Sequence, residues 1–103
     1  MVKTVDVKEF KSEVKKGIVV VDFFATWCGP CRMLSSVMDE LSKELDGKAK
    51  FIKIDVDENP ELADELKIMS IPTTMVFKNG ENKKAIIGFL PKDEIKKNID
   101  SQL

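Results

Sequence analysis

Cys28 and Cys31 are the only cysteines in this chain of 103 residues, and they stand two residues apart in Trp27-Cys28-Gly29-Pro30-Cys31. Thiols at this spacing can hold half of a metal, staple a short loop, or pass electrons as a dithiol–disulfide pair. A structural zinc site takes four ligands, and the chain has no histidine. The two thiols are therefore at most half a site, and carboxylates or a second chain would have to supply the rest. A staple across two intervening residues closes a very small loop and removes little entropy from the unfolded chain. The N-terminal stretch MVKTVDVKEF has no apolar core of the kind a secretory signal needs, so the expected compartment is the reducing cytoplasm, where permanent bridges are rare. The reactive dithiol fits these constraints best.

Position argues the same way. The run IVVVDFFA (18–25) is continuous, apolar and rich in β-branched and aromatic residues, as in a strand buried on both faces. After the cysteines, Leu34, Val37, Met38, Leu41 and Leu45 recur at helical spacing as far as Gly47. Cys28 thus falls where a strand ends and a helix begins. Unpaired N–H groups and positive potential at a helix N-terminus stabilise a thiolate, which is the nucleophilic form. Cys31, one turn further in, is expected to be the more shielded sulfur, and Pro30 is tolerated in a first helical turn. Cys28 would then attack and Cys31 would resolve the product.

Asp22 interrupts that buried run, where an ionised carboxylate is costly. Either it reaches an edge or a hydrogen-bond partner, or it is a buried acid of raised pKa able to take the proton of Cys31. Histidine, the usual general base, is absent.

The elements that must position these groups alternate along the chain. A short strand at 2–7 leads to a helix at about 7–16 with Asp6 and Glu9 as a capping pair and Gly17 closing it. A strand at 49–56 is followed by a short helix with Asn59 as cap and Pro60 at its first position. KNGE (78–81) is a hairpin signal between strands at about 73–77 and 83–88, and a last helix covers about 91–101. The order β-α-β-α-β-α-β-β-α implies an α/β domain with a mixed sheet and helices on both faces. Net charge is −1, from 17 Lys and Arg against 18 Asp and Glu, and no basic face points to nucleic acid. No apolar stretch approaches the roughly 20 residues of a membrane span.

WCGPC (27–31), preceded by VDFFA (21–25) and followed by KIDVDENPELA (53–63), IPT (71–73), MVFKNGE (75–81) and IIGF (86–89), resembles the thioredoxin family over essentially the whole chain. The resemblance implies one thioredoxin domain, residues 1–103, with a sheet of about five strands flanked by four helices. It implies a protein-disulfide reductase in which the Cys28 thiolate opens a target disulfide and Cys31 resolves the mixed disulfide. It gives Asp22 the proton of Cys31 and makes Lys53 its neighbour, although a lysine in FIKIDV can equally be a solvated strand residue. Trp27, Gly29, Pro30, Ile71, Pro72, Gly88 and Phe89 would form the target-binding apron. A cis bond before Pro72 is also implied, against a general frequency of about 5–6% for such bonds. The backbone of Ile71 would pair with an extended target segment.

The electrons would be held by a redox-active Cys28–Cys31 disulfide, with no bound cofactor and no metal. The implied partners are disulfide-containing proteins and a thioredoxin reductase, either flavin- and NADPH-dependent or ferredoxin-linked. A cytoplasmic monomer without nucleic-acid or membrane partners is expected. Five positions depart from the family pattern: Phe24 in place of a common tryptophan, Ser36 in place of a helix-kinking proline, Met69 and Ser70 before IPT, and Phe89 in place of a small residue. Met69 and Phe89 would enlarge the apolar docking surface. The rival readings are an oxidase or isomerase of the same fold, which would have a more oxidising dithiol, and a scaffold whose thiols are dispensable.

Overall fold

The computed structural model describes residues 2–103, so residue 1 of the expected domain lies outside the described residues. Strand β1 spans Lys3–Thr4, helix α1 Val7–Glu13, β2 Ile18–Phe24, α2 Gly29–Glu44, β3 Lys50–Asp55, α3 Pro60–Glu65, β4 Thr73–Lys78, β5 Glu81–Ile87 and α4 Lys92–Asp100. The five strands lie in the order β1-β3-β2-β4-β5. Pairings β1–β3 and β2–β3 are parallel, while β2–β4 and β4–β5 are antiparallel.

Strand β2 sits at the centre, paired on both edges, and Val19 to Phe23 are all buried. Its unbroken apolar run is what a strand covered on both faces requires. Alternate residues divide between two cores, because strand side chains alternate in direction. Val19, Val21 and Phe23 pack with Phe10, Ile52, Ile54 and Leu62 on the side of α1 and α3. Phe10 meets Phe23 and Phe77 edge-on, with ring centroids 6.2 and 5.6 Å apart. Val20 joins Leu34, Met38, Leu41, Ile95 and Ile99 on the side of α2 and α4. Asp22 follows Val20 in that alternation and so faces α2.

Several element ends differ from the sequence expectation. The first strand pairs only at Lys3–Thr4, because Asp6 leaves the sheet to cap α1 and accepts from the Glu9 amide at 2.9 Å. Helix α1 ends at Glu13, with Val14 as its cap, and Gly17 (φ 75°) belongs to the turn that enters β2. Asn59 makes no side-chain cap bond to α3; its amide nitrogen donates to the Asp55 carbonyl at 2.9 Å instead. Pro91 is the cap of α4 rather than part of it. Helix α2 runs unbroken through Ser35 and Ser36.

The hairpin is tighter than expected, with a two-residue turn at Asn79 (φ 50°) and Gly80 (φ 89°). Both residues occupy the left-handed region, the geometry that matches the twist of antiparallel strands. Asn79 also ties the hairpin to the entrance of β2, donating its amide to the Gly17 carbonyl at 2.9 Å and accepting the Gly17 amide at 2.8 Å. A Cβ on Gly80 would come no closer than 4.0 Å to the Lys15 carbonyl, so the cost of a side chain there is conformational. Gly80→Ala is therefore expected to destabilise the fold by roughly 1–2 kcal/mol, read as a lower urea midpoint at unchanged slope.

Candidate active site

The active turn is made by the exit from β2. Cys28 has an extended backbone (φ −91°, ψ 113°) and caps α2, and its Sγ accepts the Cys31 amide at 3.2 Å. Gly29 opens the helix, and Pro30 sits in its first turn, where a missing N–H costs nothing. The two sulfurs are joined as a disulfide, with Cα atoms 5.2 Å apart, so the structure is the oxidised form.

Sequence reasoning expected Cys28 to be open and Cys31 shielded. By area the two are alike, 5% and 3% exposed. What separates them is access: Cys28 lines a groove of about 770 Å³, and Cys31 does not. Trp27, Gly29, Pro30 and Ile71 border the groove beside it, as does Met69, which is 91% exposed. The opposite wall comes from the β3 exit and α3, including Val56, Pro60, Ala63 and Asp64. Trp27 lies on the surface and donates from Nε1 to Asp57 Oδ2 at 2.7 Å.

The bond between Ile71 and Pro72 is cis. Ile71 packs against the cluster of Ala25, Cys28 and Cys31. Pro72 is buried, and its carbonyl accepts the Gly88 amide at 2.8 Å, which brings the end of β5 beside this loop. Gly88 and Phe89 do not line the groove; Phe89, 37% exposed, follows it in the chain.

Asp22, in β2 before the active turn, is 1% exposed, with neither carboxyl oxygen hydrogen-bonded. It sits beside Lys53 of β3 and opposite Thr74 of β4 in the sheet register. Lys53 is half-buried rather than solvated. Its Nζ donates to Ser35 Oγ at 2.8 Å and lies 4.4 Å from the centre of the Phe24 ring. Burial pushes the Asp22 carboxyl up to about 6; the charge of Lys53 works against the rise and that of Asp39 adds to it.

Sequence reasoning missed Asp57, Asp64, Ser35 and Thr74. Asp57 had a usable signal, since parallel neighbours β2 and β3 end side by side, with Phe24 opposite Asp55. Ser35 and Thr74 had none, because their importance comes from what faces them. Among the described residues, no group of three or more His, Cys, Asp or Glu is arranged to hold a metal ion, and no helix is long and apolar enough to cross a membrane.

A pair of sulfurs that closes into a disulfide at a helix N-terminus, one of them opening onto a groove, exchanges disulfides with other molecules. The chain is thus a thiol–disulfide oxidoreductase whose electrons reside in the two sulfurs. The family model described as thioredoxin matches residues 1–101. Thioredoxin of Staphylococcus epidermidis is 47% identical over 103 residues, covering 100% of this chain and 98% of that protein. Thioredoxin of Staphylococcus aureus is 46% identical over the same span and coverage. A solved structure of Plasmodium falciparum thioredoxin superposes with a TM-score of 0.91 at 38% identity, over 99% of this chain and 100% of that one. The chain belongs to the thioredoxin family. Membership implies disulfide-containing target proteins and a thioredoxin reductase as partners.

The Asp22 carboxyl has a consequence for stability. Its folded value, about 6, lies above the ordinary 3.8. Between those values the unfolded chain loses a proton that the folded chain keeps, so stability falls as pH rises through that window and is level above it. Asp22→Asn is expected to be more stable than the parent by about 3 kcal/mol at about pH 8, the gap closing as the pH falls to about 4. Urea unfolding at several pH values reads this directly, and a gap that does not vary with pH would contradict it.

Proposed function

We propose that this protein is a reductase of protein disulfides, working as a single domain over residues 1–103. The observation that carries this reading is the Cys28–Cys31 disulfide at the N-terminus of α2, with Cys28 bordering the groove. In the reduced protein the Cys28 thiolate attacks one sulfur of a target disulfide. That bond breaks, a Cys28–target disulfide forms, and the other target sulfur leaves as a thiolate. Cys31 then gives up its proton to the ionised Asp22 and attacks the Cys28 sulfur. The internal disulfide forms, the second target sulfur leaves, and two electrons have passed to the target. The disulfide form described here is the product of that turnover.

Each flanking residue has a part in this scheme. An extended target segment pairs with the backbone at Ile71, held in place by the cis Pro72 loop and its bond to Gly88, while Trp27, Gly29 and Pro30 offer the apolar surface for it. Backbone pairing asks little of the target's side chains, which suits a carrier with many clients. Phe89 extends the apolar surface at the far edge. Lys53 favours the ionised form of Asp22 by its charge. A thioredoxin reductase, flavin- and NADPH-dependent or ferredoxin-linked, returns the disulfide to the dithiol, and the protein works as a cytoplasmic monomer.

Two measurements test this function. Cys31→Ser should accumulate a mixed disulfide through Cys28 when mixed with a disulfide-bonded protein such as insulin, whereas Cys28→Ser should accumulate none. Trapping by either variant equally would contradict the assigned order of attack. Emission from Trp27, the single tryptophan, can follow the couple in redox buffers. The expected midpoint is near the value associated with thioredoxins, about −270 mV, and a midpoint near about −180 mV would make the protein an oxidant or isomerase instead.

A further inference from the structure

Among the described residues, three buried side-chain oxygens have no hydrogen-bond partner: both oxygens of Asp22 and Oγ1 of Thr74. These atoms belong to two residues that stand directly opposite one another across β2 and β4. Both residues lie on the α2 side of the sheet, since their neighbours in the alternation, Val20 and Val76, share that core. Directly opposed residues on one face have Cβ atoms about 4.5–5.5 Å apart, within reach of a hydroxyl and a carboxyl. Unpaired polar groups are rare in native cores, so each one calls for a reason. Here each residue supplies the other's.

The neighbouring side-chain donors hydrogen-bond to other partners. Lys53, the register partner of Asp22 on β3, donates to Ser35 Oγ and lies over the Phe24 ring. The hydroxyl of adjacent Thr73 donates to the Ser70 carbonyl at 2.6 Å. Thr74 is fully buried at 0% exposure, in a place where valine would fill the same space without burying a hydroxyl. The charged groups bearing on Asp22 are Lys53 from β3, which favours ionisation, and Asp39 from α2, which opposes it. Cys31, in the first turn of α2, is the buried titratable group of that helix's start in the reduced protein.

We propose that Thr74 is a positioning residue for Asp22, its hydroxyl turning about Cα–Cβ to donate to the carboxylate when that group is ionised. A protonated Asp22 needs little from Thr74. An ionised one in this site has the charge of Lys53 but no hydrogen bond to sustain it, and a neutral donor opposite it favours the charged form. Thr74 thereby adds to the charge of Lys53 in favouring the ionised carboxylate. The effect on turnover rests on the reading of Asp22 given above, whereas the hydrogen bond does not.

The test is a carboxyl-carbon NMR titration of Asp22 in the disulfide form of the full chain, for the parent, Thr74→Val and Thr74→Ser. A hydrogen bond to a charged group is worth enough that its loss should raise the Asp22 midpoint by about one pH unit in Thr74→Val, and serine should restore it. An unmoved midpoint in Thr74→Val would overturn the proposal, as would a rise that serine fails to reverse, since that would reflect packing alone. Thr74→Ala serves in the same way if valine disturbs the strand. The pH profile of protein-disulfide reduction should move upward with the NMR midpoint. A shifted midpoint with an unmoved rate profile would leave the hydrogen bond standing and remove Asp22 from the proton transfer.

Discussion

An acid buried in the central strand is the constraint around which the rest is arranged. Asp22 lies in β2, which has a strand on either edge and a core on either face, so its carboxyl has no route to water. An unpaired ionised carboxylate is costly in such a place, and the group responds by holding its proton well above the ordinary carboxylate range. The fold therefore gives up stability near neutral pH for a group that a purely structural strand would replace with valine. A residue whose titration is displaced by burial, in the strand that leads into a reactive pair, is a physical signal of a functional site.

The topology explains why the reactive parts meet at one edge of the sheet. β2 and β3 are parallel, so their C-terminal ends lie together and deliver Cys28 and Asp57 to the same place. β4 runs the other way, so its start, with Ile71 and Pro72 before it, arrives at that edge as well. β5 reverses again and ends there with Gly88 bonded to Pro72. Four segments far apart in sequence converge without a long excursion by any of them. Each is anchored by a strand register, so the geometry around the sulfurs is set by a rigid scaffold rather than by the loops themselves.

Most of this was legible in the sequence because the signals were strong and local. The continuous run 18–25 marks a doubly buried strand, Asn79-Gly80 marks a turn that only certain residues enter, and the cysteine spacing marks the chemistry. Element ends were less legible, because they depend on competing partners. Asp6 caps α1 as expected, but the first strand stops at Thr4 rather than running to residue 7, and Asn59 turns back to Asp55 rather than capping α3. The near-equal burial of the two cysteines was not legible, since it depends on how the groove opens beside Cys28. The cis bond before Pro72 is invisible to composition and came only from likeness to a family. Pairings such as Lys53 with Ser35, or Asp22 facing Thr74, need the sheet register and the placement of α2, which no single segment encodes.

The aim of Lys53 decides how the buried acid behaves. A lysine in direct contact with Asp22 would hold the carboxylate ionised and bring its midpoint back toward the ordinary range. Without any lysine, burial and the charge of Asp39 would drive the midpoint higher still. The structure takes the middle course. Lys53 is the register partner of Asp22, yet its ammonium is held by Ser35 Oγ and the face of Phe24, so it acts through space alone. Ser35 and Phe24 flank the active turn in sequence, one on each side, and by fixing the lysine they tie the charge balance at Asp22 to the same strand exit and helix start that present the sulfurs. A shift of α2 relative to β2 would move the cation and the sulfur together, so the proton affinity of the acid and the position of the thiols are set by a single piece of packing.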